Sequence, residues 1–173
     1  MAVKFEDYSV KVKAAINDTT IQWLYETASD VASEAKQTAS GGDDTANQVR
    51  RSYSTHVNES KGEAQVGNPL EGAFWEEFGT GEYADTSKNG GKKGREGWWV
   101  YIKGQESKGG GKIHRTKEEA EDAANYLRTE KHLNAYVTKG RRPNYTLENA
   151  FKSTMPEALA DLNKMLKEME KRK

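Results

Sequence analysis

Residues 68–84 read Asn-Pro-Leu-Glu-Gly-Ala-Phe-Trp-Glu-Glu-Phe-Gly-Thr-Gly-Glu-Tyr-Ala, and the rest of the chain is read around them. Asn68 is placed to cap a helix whose first residue is Pro69, and Glu71 can complete a capping box, because the free amides of a first turn need acceptors. Leu70, Ala73, Phe74 and Phe78 recur on one side at helical spacing. Gly79 then supplies a left-handed residue at low cost, so the helix ends there and Thr80, Gly81 and Glu82 form a tight turn.

Upstream, Glu63 to Gly67 reads as a strand with Ala64 and Val66 pointing together. Val49 to Val57 reads as its partner, with Tyr53, Thr55 and Val57 on one face, and the turn residues of Asn58 to Gly62 join the two into a hairpin. Asp43 to Gln48 is a loop. From Thr19, Ile21, Leu24, Ala28, Val31, Ala35 and Ala39 step by three and four, which predicts a long helix capped by Asn17 or Asp18 and stopped at Gly41-Gly42. Its stripe narrows to alanine, so another element can approach closely. Tyr8, Val10 and Val12 alternate as a short strand would.

Downstream, Asp85 to Gly97 is rich in Gly, Lys and Ser and reads as a mobile loop, and Gln105 to Lys112 as a second. Trp98 to Ile102 lies between them as a strand of large side chains. Thr116 caps a helix with Glu119 at the capping-box position, and Ala120, Ala123, Ala124 and Leu127 give it an apolar face. Leu133 to Val137 is a last strand. The final helix carries Leu159, Leu162, Met165, Leu166 and Met169 on one stripe. Thr154 and Glu157 are able to cap a new start around Pro156, so the pattern allows either one bent helix or two. The expected fold is α+β, a single domain over 1–173, with an antiparallel sheet packed against long N-terminal and C-terminal helices and two long flexible loops.

Composition narrows the function. Hydrophobic residues make up 34% of the chain and charged residues 31%, so much of the surface must meet water or partners. With no cysteine, disulfides, zinc–thiolate sites and thiol nucleophiles are excluded together, which fits synthesis in a reducing cytoplasm. No run has the length of a signal peptide or membrane span, so a soluble protein without a membrane partner is expected. Net charge is zero, yet Lys88, Lys92, Lys93, Arg95, Lys103, Lys108, Lys112, Arg115 and Lys117 cluster with little acid between them.

Candidate chemistry is sparse. Neither Gly91-Lys92-Lys93 nor Gly111-Lys112-Ile113 has the leading glycine or the following hydroxyl of a phosphate loop. His56, His114 and His132 share no metal-ligand spacing, so no metal or cofactor is expected. Glu76 and Glu77 point about 100° apart on a helix and do not face one substrate, which reads as one solvent-facing and one structural glutamate. The Glu77 carboxylate is expected to accept from amides of the Gly79–Gly81 turn or from an arginine of a neighbouring subunit, so that Glu77→Gln weakens assembly. Trp98 and Trp99 alternate across their strand, and the outward one is either an interface anchor or covered by a loop or helix. No catalytic constellation appears, and an enzyme is not expected.

Ala73, Trp75, Glu77, Phe78, Gly79 and Thr80 resemble the Tyr-Ala-x-Tyr-x-Glu-Phe-Gly-Thr signature of the tail-component, or neck, proteins of long-tailed bacteriophages. Asp44, Thr45, Arg50 and Ser52 are similar to a segment those proteins carry before the hairpin, although Ala46 stands at its glycine and one extra residue precedes Val49. Gly140, Pro143, Leu147, Ala150 and Phe151 are similar to the closing Gly-x-x-Pro segment and the Leu-x-x-Ala-Phe start of the last helix. The resemblance implies a structural virion protein, made in the host bacterial cytoplasm, that completes the tail and joins it to the head. It implies a homo-oligomeric ring, sixfold like the tail, between the head-closure or connector protein and the tail terminator or tube. Trp75, Glu77, Phe78, Gly79, Thr80, Gly81, Trp98, Trp99, Gly140 and Pro143 are then the expected contacts with other subunits or partners, and 105–135 is an insertion. The alternative is a nucleic-acid-binding accessory domain using the basic stretch 88–117, where Lys88, Lys92, Lys93, Arg95, Lys108 and Lys112 would meet DNA or an acidic partner.

Overall fold

The computed structural model describes residues 18–40, 44–91, 94–103 and 111–170. The expected strand at Tyr8–Val12, the stop at Gly41-Gly42 and the cations Lys92, Lys93 and Lys108 lie outside the described residues. The fold is α+β. It divides into two compact units, one of residues 1–77 with 144–173 and one of residues 78–143. The 105–135 stretch falls inside the second unit, which begins earlier and ends later.

The first unit is built on α1 (Asp18–Thr38) and α5 (Thr146–Glu170), which lie against each other. The stripe of α1 is buried through Leu24, Ala28, Val31 and Ala35, as the spacing requires. Trp23 is buried as well, and its indole N–H donates to the Ala158 carbonyl at 2.8 Å, satisfying the one polar atom that burying this ring would otherwise orphan. Leu162 and Met165 of α5 pack on the same cluster, whereas Leu159 and Leu166 are exposed, so only part of the α5 stripe serves the core. Pro156 does not break α5.

Residues 44–51 form a helix, α2 (Asp44–Arg51), where a loop running into a strand was expected. Val49 is buried against Gly72, and Arg50 turns back so that its guanidinium donates to the carbonyls of Lys36 (2.9 Å) and Gln37 (3.3 Å) at the end of α1. Those carbonyls have no partner inside their own helix, which is why a short polar helix is stable here. The expected hairpin follows as β1 (Ser54–Asn58) and β2 (Glu63–Gly67), antiparallel with Ser54 opposite Gly67. Asn68 is buried. Its amide donates to Val49 O (2.7 Å) and its Oδ1 accepts from the Leu70 amide (3.0 Å), so α3 (Glu71–Phe78) starts two residues later than predicted.

The second unit is a three-stranded antiparallel sheet, β4-β3-β5, with a helix on one face. Its strands are β3 (Trp98–Ile102), β4 (Ile113–His114) and β5 (Ala135–Thr138). The helix α4 (Lys117–Thr129) starts at the predicted Thr116 cap, whose Oγ1 accepts from the Glu119 amide (3.2 Å), while Glu119 Oε2 reaches one residue further back than a capping box does, to the Arg115 amide (3.1 Å). Ala120 and Ala124 are fully buried against the sheet. Within the stretch after residue 85, Asn89 is buried and Gly94 lies against Gly81 so closely that no side chain fits.

Candidate functional site

Two features carry the chemistry that the sequence singled out: the carboxylates that end α3, in the first unit, and the glycine turn that follows in the chain, in the second. Both glutamates are buried, Glu76 at 4% exposure and Glu77 at 1%, which corrects the expectation that one faces solvent. The Glu77 carboxylate sits on the N-terminus of α5, where Oε2 accepts from the Leu147 amide (2.8 Å) and Oε1 from the Glu148 amide (3.1 Å). Its donors are backbone amides, as expected, but those of the last helix and not those of residues 79–81. A helix start presents unpaired N–H groups and partial positive charge, and a carboxylate answers both. Burial still dominates, and it pushes the Glu77 carboxyl above the ordinary 4.5, with the two amides opposing.

Glu76 Oε1 collects three donors from two segments. It accepts from the Ser40 amide (2.8 Å), from Asn144 Nδ2 (2.9 Å) and from the Thr146 hydroxyl (3.4 Å). Asn144 Nδ2 also donates to Thr146 Oγ1 (2.9 Å). The end of α1 and the start of α5 are thereby fastened to the end of α3. Beside them the Tyr53 hydroxyl is buried with no hydrogen-bond partner among the described protein atoms. Burial and the charges of Glu77 and Glu76 push its pKa far up, which the nearby Thr146 hydroxyl offsets only in part. Tyr53 is therefore neutral across the usual pH range. This is a holding arrangement: it ties helix ends together, and its carboxylate oxygens face the protein's own donors.

In the second unit the turn Gly79–Gly81 lies against Lys139–Pro143. The Thr80 amide donates to Arg141 O (2.8 Å), the Arg141 amide donates to Thr80 Oγ1 (2.9 Å), and the Glu82 amide donates to Lys139 O (3.0 Å). Gly79, Gly81 and Gly140 have φ of +74°, +62° and +127°. A Cβ on Gly79 would lie 2.6 Å from Arg141 O, and one on Gly81 would collide with Lys139 O and sit 2.5 Å from the Trp99 ring. Glycine is needed here both for the backbone angle and for the close approach. The Lys139 ammonium bridges Glu82 (3.0 Å), which holds the Glu82 carboxyl below its ordinary value together with the Gly97 amide.

The remaining sequence candidates separate. Trp75 is 38% exposed on α3 with its ring edge-on to Phe74, while Phe78 is buried. Trp98 and Trp99 are both half-buried on opposite faces of β3, Trp98 beneath Lys139 (5.1 Å) and Lys117 (5.9 Å), and Trp99 beneath Arg95 (6.0 Å). Lys88 and Lys112 are exposed. His56, His114 and His132 stay apart, and no group of metal-ligating side chains occurs among the described residues. The sequence reading missed Tyr53, Asn144 and Thr146 as members of the buried cluster; a hydroxyl residue at the first position of the last helix was the available signal for Thr146. Comparison of the chain with family models, with curated proteins and with solved structures finds no match in any of the three.

Proposed function

We propose that this chain is a structural subunit of the neck of a long-tailed bacteriophage, acting as a homo-oligomeric ring that completes the tail and joins it to the head. The observation that carries the reading is the pairing of Thr80 with Arg141. The Glu-Phe-Gly-Thr turn and the Gly140-x-x-Pro143 segment each resemble the neck family on their own, and they are neighbours in the fold, bonded through Thr80 and Arg141. The third such segment, Leu147 to Phe151, begins the helix that Glu77 caps. Motifs far apart in a sequence support a resemblance better when they form one connected framework. In this reading the framework sets the geometry of each subunit, and exposed groups such as Trp75 meet its neighbours. The ring sits between the head-closure protein and the tail terminator or tube, and it performs no catalysis.

The test is the mass of the purified full chain by light scattering over a concentration series at low and high salt. A discrete multimer, seen as rings by negative-stain microscopy, is the expected result. A strict monomer, together with salt-dependent affinity for duplex DNA in the same sample, would instead favour the nucleic-acid-binding alternative, for which the cation-rich second unit is the supporting observation.

A further inference from the structure

The zero net charge conceals a partition. Residues 78–143 carry 14 Lys and Arg against 9 Asp and Glu, whereas the rest of the chain carries 13 against 18, so the two units have opposite excesses of five charges. Each excess coincides with a shaped surface. In the second unit, α4 covers the sheet face that carries Trp98 and Ala135. The register places Trp99, Tyr101, Ile113 and Tyr136 on the opposite face, where Tyr101, Ile113 and Tyr136 are 38%, 49% and 45% exposed. The two tyrosines stack at 5.4 Å with their planes 24° apart. Arg95 lies over Trp99, and the alternation of β3 carries exposed Lys103 to the same face, its amide still paired with Asn134 O (2.9 Å). Among the described residues, no carboxylate occupies a register position of that face.

In the first unit, α1 and α5 bound a groove of about 360 Å³. Its walls present Glu26, Asp30, Glu157, Asp161 and Glu168 against one cation, Lys164, and its floor includes the Trp23–Ala158 contact. A groove rimmed by carboxylates suits an aromatic face rimmed by cations, since complementary charges steer docking and exclude wrong partners.

We propose that the open sheet face of one copy docks in the α1/α5 groove of the next, with Arg95 and Lys103 meeting the carboxylates and the Tyr101–Tyr136 pair covering the floor. This rests on the ring reading above and names the contact that builds the ring. Two different patches on one chain make a head-to-tail contact, which closes into a ring when its rotation permits. Such a contact weakens with salt.

The test uses two charge-reversed versions of the full chain. One carries Glu157→Lys and Asp161→Lys in the groove, the other Arg95→Glu and Lys103→Glu on the sheet face. All four side chains are exposed, and circular dichroism checks that both variants fold. Light scattering on each alone should show the concentration for half-assembly raised by about tenfold or more. An equimolar mixture should recover assembly, because the intact sheet face of one variant then meets the intact groove of the other, and the two reversed patches meet each other. Variants that assemble like the wild type, or a mixture that fails to recover, overturn the docking proposal and leave the ring reading standing. A wild type that is monomeric at every concentration overturns both. Loss of oligonucleotide binding in the Arg95/Lys103 variant with unchanged assembly assigns the face to nucleic acid and also overturns the proposal.

Discussion

The carboxylate of Glu77 closes the N-terminus of α5 by accepting the amide protons of Leu147 at 2.8 Å and Glu148 at 3.1 Å. Both partners are buried or nearly so, and the bonds are charge-assisted, so truncation leaves two donors without acceptors. Glu77→Ala should cost about 2–4 kcal/mol in urea unfolding. Glu77→Gln keeps one acceptor oxygen and should cost roughly half as much. Because both oxygens are engaged within the subunit, particle mass should follow the folded fraction. Loss of assembly in a fully folded Glu77→Gln protein would restore the view that Glu77 meets a neighbour.

Glu77 also makes stability depend on pH. Its folded-state pKa is raised above 4.5 by burial, so between 4.5 and that higher value the native state holds more protons than the unfolded chain. The stability this group contributes is therefore full below the unfolded value and is lost as pH rises through the folded one. Wild type should lose ground to Glu77→Gln as pH rises from 4.5 through the higher folded-state value when urea midpoints are compared. A difference that does not change with pH would mean that the two amides cancel the effect of burial.

Gly81 and Gly90 separate strain from crowding. Both have positive φ, +62° and +75°, but a Cβ on Gly81 meets Lys139 O and Trp99 whereas one on Gly90 meets nothing within 4 Å. Gly90→Ala should cost about 1 kcal/mol, the left-handed penalty alone. Gly81→Ala should cost about 3 kcal/mol or more, since the turn has to part from residues 139–141. Thermal melts of the two variants decide it.

Pro156 lies in the interior of a continuous α5 and is exposed. It removes one helix hydrogen bond and crowds the carbonyl four residues earlier. Pro156→Ala should raise stability by about 1–3 kcal/mol, read as a later urea midpoint. A loss instead would show that a bend at this position is needed for packing on α1.

Tyr53 carries a buried hydroxyl with no partner among the described protein atoms. Tyr53→Phe keeps the ring and removes the unpaired group, so stability should rise by up to about 1 kcal/mol. A clear destabilisation would show that the hydroxyl bonds Thr146 in solution.

The parts of this fold legible in the sequence are those fixed by neighbours along the chain. Gly79 ends α3, Thr116 caps α4, and the α1 stripe is buried, because capping and periodicity act over a few residues. What was not legible depends on distant partners. Helix α2 has too few apolar positions to show a stripe and is held by Arg50 reaching the carbonyls at the end of α1. Trp23 lies beside the predicted stripe and is buried because Ala158, far along the chain, offers its indole an acceptor. Glu76 and Glu77 looked like a surface pair because adjacent helical residues diverge; both are buried because donors arrive from residues 40 and 144–148 on two sides. Tyr145 adopts φ of +50° without being glycine, and nothing in its immediate neighbours announces that.

One small detail of the first unit bears on how such a chain could be remodelled. The Asn144 amide donates to Glu76 O at 2.8 Å and the Tyr145 amide donates to Glu77 O at 3.3 Å, so the outgoing and returning strands of chain are joined by two rungs. The chain leaves the first unit after residue 77 and re-enters it at residue 144, beside these two rungs. The entropy of closing a loop grows only slowly with its length. The rungs can therefore carry a longer, shorter or entirely different passenger at little thermodynamic cost, leaving the two long helices free to keep their partnership while what they display is exchanged.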